Sequence, residues 1–134
     1  TIEAKALRDC FAANAEGPFL LTQALAPRLA ENAKVVNVST GLASIAGTDS
    51  LHSPSYAISK AALNMASKLL SIALGERGVT VVALSPGWVS TDMGGANAPL
   101  APAESVRAIL AVIDRLSHKD SGAFLSNAGA TIPW

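Results

Sequence analysis

A tyrosine and a lysine stand four residues apart in this chain, Tyr56 and Lys60, just after the pair Ser53-Pro54. On a helix, positions i and i+4 leave from one face, so this spacing brings a phenol and an ammonium together. A free phenol titrates near 10, too high for easy proton exchange at neutral pH. A neighbouring ammonium favours the phenolate and lowers that value, and a helix N-terminus adds partial positive charge in the same place. The spacing therefore predicts a tyrosine general acid or base tuned downward by its lysine. The same spacing also describes an exposed tyrosine beside a solvated lysine, and the pair alone does not separate the two.

The elements that position the pair follow from periodicity. Residues 3–30 read as one helix, with Leu7, Phe11, Leu21, Leu25 and Leu29 near one face and a bend at Gly17-Pro18. Residues 34–39 (KVVNVS) read as a β-branched strand, followed by a loop over residues 40–52. Ser53, a hydroxyl at the cap, and Pro54, a proline in the first turn, start a helix over residues 54–76, which Gly78 closes in a left-handed conformation. A continuous apolar strand over residues 79–84 ends at Ser85-Pro86-Gly87. A loop through residue 102, a helix over residues 103–116 and a short strand over residues 123–126 complete the order helix–strand–helix–strand–helix–strand. That alternation specifies an α/β fold, a parallel sheet of three strands with helices on both faces.

Composition excludes several classes. The 134 residues suffice for one domain but are tight for two; half are hydrophobic and 15% charged, which argues against disorder. Ten basic and ten acidic residues balance without a basic stripe, so no nucleic-acid partner is expected. No apolar run reaches the roughly 18 residues of a membrane span, and the start Thr1-Ile2-Glu3-Ala4-Lys5 has no signal-peptide layout. Cys10 is the single cysteine, which precludes an internal disulfide and suits a reducing, cytoplasmic setting. Asp49, His52 and His118 have no metal or triad spacing, and no metal site is expected.

Three segments surround the chemistry in order: Val35-Val36-Asn37-Val38-Ser39-Thr40 off the first strand, Ser55-Tyr56-Ala57-Ile58-Ser59-Lys60 on the next helix, and Ser85-Pro86-Gly87-Trp88-Val89-Ser90-Thr91-Asp92-Met93 after the second strand. With Asn14-Ala15-Glu16-Gly17 upstream, they resemble the short-chain dehydrogenase/reductase family, especially its small single-domain carbonyl reductases. The resemblance covers essentially the whole chain and implies a Rossmann-like sheet and NADP- or NAD-dependent hydride transfer between a nicotinamide and a small carbonyl or alcohol substrate. It implies that Tyr56 exchanges the proton at the substrate oxygen, that Lys60 binds the nicotinamide ribose and depresses the Tyr56 pKa, and that Asn14 holds a water in a relay through Lys60. The family's substrate-binding serine falls on Thr40, with Ser39 in reserve. Pro86, Gly87, Val89 and Thr91 match the loop that contacts the nicotinamide and pyrophosphate. Trp88 and Met93 read as packing residues, and Asn127-Ala128-Gly129 reads as a coincidental match to the family's N-A-G motif.

No glycine-rich turn stands between a strand and a helix in this chain. Its first helix matches the family's fourth, so residues 1–134 are expected to form a single partial domain, the C-terminal portion, without the nucleotide-binding half. A non-catalytic interaction module that keeps the fold is the alternative. The first strand would then be an open edge, and association is expected, either between copies or with the missing half.

Overall fold

The computed structural model describes residues 2–134; Thr1 lies outside the described residues. Three parallel strands, β1 (Lys34–Val38), β2 (Thr80–Ser85) and β3 (Phe124–Ser126), stand in the order β1-β2-β3. Val36 lies opposite Val82, and Leu84 opposite Leu125. The helices are α1 (Ala4–Phe11), α2 (Gly17–Leu25), α3 (Pro54–Ala73) and α4 (Pro102–Arg115). The expected alternation and parallel sheet are present, with each strand end within two residues of its predicted position.

Strand alternation explains the two layers. Val82 and Leu84 point to one face of β2 and pack with Val112 of α4, with Leu116 just past its end and with Leu125 of β3. Val81 points to the other face and packs with Leu70 of α3 and with Leu74 just past its end. Every residue of β2 is buried, as a central parallel strand requires. On β1, the face that carries Val35 also carries Asn37 and Ser39, and there α3 meets polar side chains with polar side chains. Asn37 Nδ2 donates to Ser67 Oγ at 2.9 Å, and Ser39 Oγ donates to Asn64 Oδ1 at 2.7 Å.

The first helical stretch departs from the expected single helix bent at Gly17-Pro18. A π-helical turn, Ala12–Glu16, separates α1 from α2, and the Gly17 N–H reaches back five residues to the Ala12 carbonyl. Pro18 has no N–H to give Asn14, and its ring would crowd the Asn14 carbonyl in a regular α-helix. The widened turn relieves that crowding one turn ahead of the proline, which is why the irregularity falls on Asn14. A short 3₁₀ turn, Ala26–Arg28, ends the stretch.

The apolar residues read on one face of this stretch are partly outside the core, although Leu29 packs against it. Leu21 is 61% exposed, and it lines a groove of about 600 Å³ with Leu25, Leu29, Val35 and Asn37, along the unpaired side of β1. Residues one helix face apart announce burial, but they do not say whether the covering layer is present.

The entry to α3 also differs from the expected hydroxyl cap. Ser53 has φ 45° and makes no side-chain cap bond; its carbonyl instead accepts from Ala57 N at 2.9 Å. At the far end Gly78 adopts φ 70°, as predicted, a left-handed conformation that favours glycine. Among the described residues no helix is long and apolar enough to cross a membrane.

The Ser39–Asn64 bond supplies a stability test. Asn64→Ala leaves the buried Ser39 hydroxyl without an acceptor and should cost about 1–3 kcal/mol. Urea unfolding measures this; a midpoint unchanged from the parent would mean that the bond does not hold α3 on the sheet.

Candidate active site

Because all three strands run parallel, their C-terminal ends lie along one edge, where open α/β sheets present ligand sites. Thr40 follows β1 at this edge, Pro86 follows β2, and the N-terminal turns of α3 carry Tyr56 and Lys60. Lys60 Nζ donates to the carbonyl of Val38 at 2.8 Å, tying the lysine to the end of β1. The same ammonium lies 5.8 Å from the centre of the Tyr56 ring, so the two side chains share one face as their spacing predicts.

The electrostatics differ from the sequence expectation. Burial pushes the Tyr56 phenol up from its ordinary value and pushes the Lys60 ammonium down. Desolvation is the cause for both groups, so the phenol is not lowered as the spacing predicts. The protein alone therefore holds Tyr56 as a protonated phenol, the form that donates.

Thr40 is extended (φ −153°, ψ 152°) and its Oγ1 accepts from Leu42 N at 3.3 Å, which leaves the hydroxyl proton to give. Ser39 is 2% exposed, and its hydroxyl proton is bonded to Asn64. Ser39 therefore faces α3 and has no proton left to give.

Asn14, in the π turn, reaches α3 directly: its Nδ2 donates to Ser59 Oγ at 3.0 Å. In the loop after β2, the Pro86 carbonyl accepts from the buried Ser105 Oγ at 2.8 Å, Gly87 has φ 83°, Val89 bridges to Leu100, and Thr91 Oγ1 accepts from Gly94 N at 3.1 Å. Trp88 and Met93, expected to pack, are 58% and 82% exposed. Trp88 Nε1 instead donates to the Gly94 carbonyl at 2.8 Å. Asn127 lies beside Gly87, where an added Cβ would meet its Nδ2 at 3.1 Å. The N-A-G segment is thus a turn at the end of β3 that abuts this loop.

Ser59 was not singled out by its sequence. It is fully buried and bonds both Asn14 and the Tyr56 carbonyl. The available signal was a recurrence of small polar residues (Ser59, Asn64, Ser67, Ser71) on the buried face of a helix otherwise lined by leucine and alanine. Among the described residues no three His, Cys, Asp or Glu side chains group to hold a metal.

Comparison with known proteins bears on the family and the fold. A family model described as enoyl-(acyl carrier protein) reductase matches residues 1–119. C-signal of Myxococcus xanthus is 42% identical over 126 residues, covering 92% of this chain and 76% of that protein. The carbonyl reductase Sniffer of D. melanogaster superposes with a TM-score of 0.95 at 33% identity, over 100% of this chain and 59% of the other. The NADPH-bound carbonyl reductase from chicken fatty liver superposes with a TM-score of 0.91 at 36% identity, over 99% and 59% respectively. The chain thus spans a little over half the length of these two reductases.

Tyr56 is the only tyrosine in the chain, so tyrosinate absorbance reports it alone. Its folded midpoint should lie above that of the same chain unfolded in urea, near 10. A folded midpoint at or below the unfolded one would show that Lys60, not burial, governs the phenol.

Proposed function

The chain belongs to the short-chain dehydrogenase/reductase family, and from that premise we propose that it carries the catalytic portion of an NADP- or NAD-dependent carbonyl reductase acting on a small carbonyl or alcohol. The pairing of Tyr56 with Lys60, tied to the end of β1 beside Thr40 at the C-terminal edge of the sheet, carries the proposal. Tyr56, held protonated by burial, gives its proton to the carbonyl oxygen of the substrate. Thr40 donates a second hydrogen bond to the same oxygen and fixes its position. A nicotinamide cofactor, when bound, supplies the hydride to the carbonyl carbon.

The residues present fit the nicotinamide end of such a cofactor. Lys60 engages Val38 with one of its three N–H donors, which leaves two for neighbouring ribose hydroxyls. Pro86, Gly87, Val89 and Thr91 form the loop we assign to the nicotinamide and pyrophosphate, with Gly87 in a left-handed conformation that favours glycine. Asn14 is assigned to hold the water that returns a proton toward Lys60. Bound NADPH in the chicken reductase supports NADP as the cofactor.

A second reading, an interaction module without catalysis, has one observation in its favour. Among the described residues no strand leads through a glycine-rich turn into a helix, so nothing here cradles a pyrophosphate in the manner usual for this fold. Assays with NADPH and NADH on small aldehydes and ketones separate the two. In a form that includes a nucleotide-binding half, Tyr56→Phe should lower turnover by about 10²–10⁴-fold with the fold intact, and Lys60→Ala should lower both turnover and cofactor affinity. Near-normal turnover in Tyr56→Phe would overturn the assignment.

The unpaired side of β1 and its apolar groove also lead us to propose that this chain associates, with a second copy or with further polypeptide that completes the sheet. Light scattering over a dilution series should show particles larger than one chain; a compact monomer at every concentration would contradict this. The single unpaired cysteine, Cys10, suits a reducing compartment such as the cytoplasm.

A further inference from the structure

Ser59 is fully buried, and its hydroxyl makes two hydrogen bonds whose directions constrain each other. It donates to the Tyr56 carbonyl at 2.8 Å, and it faces Asn14 Nδ2 at 3.0 Å. A carbonyl only accepts, so the single hydroxyl proton of Ser59 must point at Tyr56. Toward Asn14 the serine oxygen is then an acceptor only. An asparagine side chain can turn either its NH₂ or its oxygen to a neighbour, and the neighbour's chemistry decides which. Here it must turn the NH₂ inward.

The consequence falls on the opposite side of the amide. No buried side-chain nitrogen or oxygen among the described residues lacks a partner, and Asn14 Oδ1 has none within the described protein, so that oxygen is open to solvent. We infer that Ser59 is a positioning residue that sets the amide orientation of Asn14, presenting Oδ1 outward as a fixed acceptor for a water or substrate hydroxyl while coupling the π turn to the catalytic helix. This rests on the dehydrogenase reading only for its effect on turnover. The orientation itself rests on the hydrogen bonds.

Ser59 stands between Asn14 and the main chain of Tyr56, so one hydroxyl joins two elements distant in sequence. With alanine at position 59 the amide loses its only acceptor on α3 and can turn over. The π turn then has one tie fewer to the helix that carries Tyr56 and Lys60. Threonine keeps the hydroxyl and its single proton.

Two measurements on the protein test this. By NMR, the Asn14 side-chain NH₂ should be protected from hydrogen exchange in the parent, lose that protection in Ser59→Ala and recover it in Ser59→Thr. In carbonyl reduction, Ser59→Ala should lower kcat by roughly ten- to a hundredfold with KM for the carbonyl unchanged. On an Asn14→Ala background the same substitution should have no further effect on kcat, whereas general destabilisation would act on both backgrounds. Unchanged Asn14 protection in Ser59→Ala would overturn the inference. So would a kcat within about twofold of the parent in a protein that Tyr56→Phe inactivates. Should Tyr56→Phe retain turnover, the dehydrogenase reading falls, and amide exchange still decides whether Ser59 orients Asn14.

Discussion

Helix α3 is seated on the sheet by directed hydrogen bonds as well as by apolar contact, and the candidate active site depends on that seating. Leu70 and Leu74 bury against β2 and supply attraction without fixing rotation or register. Ser59, Asn64 and Ser67, on the same helix, bond Asn14, Ser39 and Asn37 on two other elements. A slide of α3 by one turn would break all three bonds and strand their polar groups away from water. The helix therefore has one position, and that position puts Tyr56 and Lys60 at the end of β1.

The proline-induced π turn serves the same end. A regular helix through residues 12–16 would give Asn14 a different height and azimuth relative to α3. The extra residue in that turn, imposed by Pro18, rotates Asn14 to where Ser59 can accept from it. A backbone irregularity thereby becomes part of the site's geometry, and the local cost is offset by a bond between elements.

Protonation is decided at the next level. A lysine four residues from a tyrosine suggests a lowered phenol, yet burial of both groups dominates in this structure and moves each toward its neutral form. A neutral Tyr56 is a hydrogen-bond donor, and Lys60 keeps two N–H donors beyond the one given to Val38.

Much was legible in the sequence because its signals are local. The apolar run of β2, the left-handed Gly78 and the i, i+4 pairing of Tyr56 with Lys60 each depend on neighbours within a few residues, so they appear in the structure as read. What sequence could not decide involves partners distant along the chain. The burial of the Leu21 face depends on whether a layer covers it, the pKa of Tyr56 on how much solvent surrounds it, and the role of Ser59 on Asn14, 45 residues away. Side-chain type and spacing determined which groups share a face; only tertiary packing decided what each face meets, because desolvation and hydrogen bonding depend on distance in space and not along the chain.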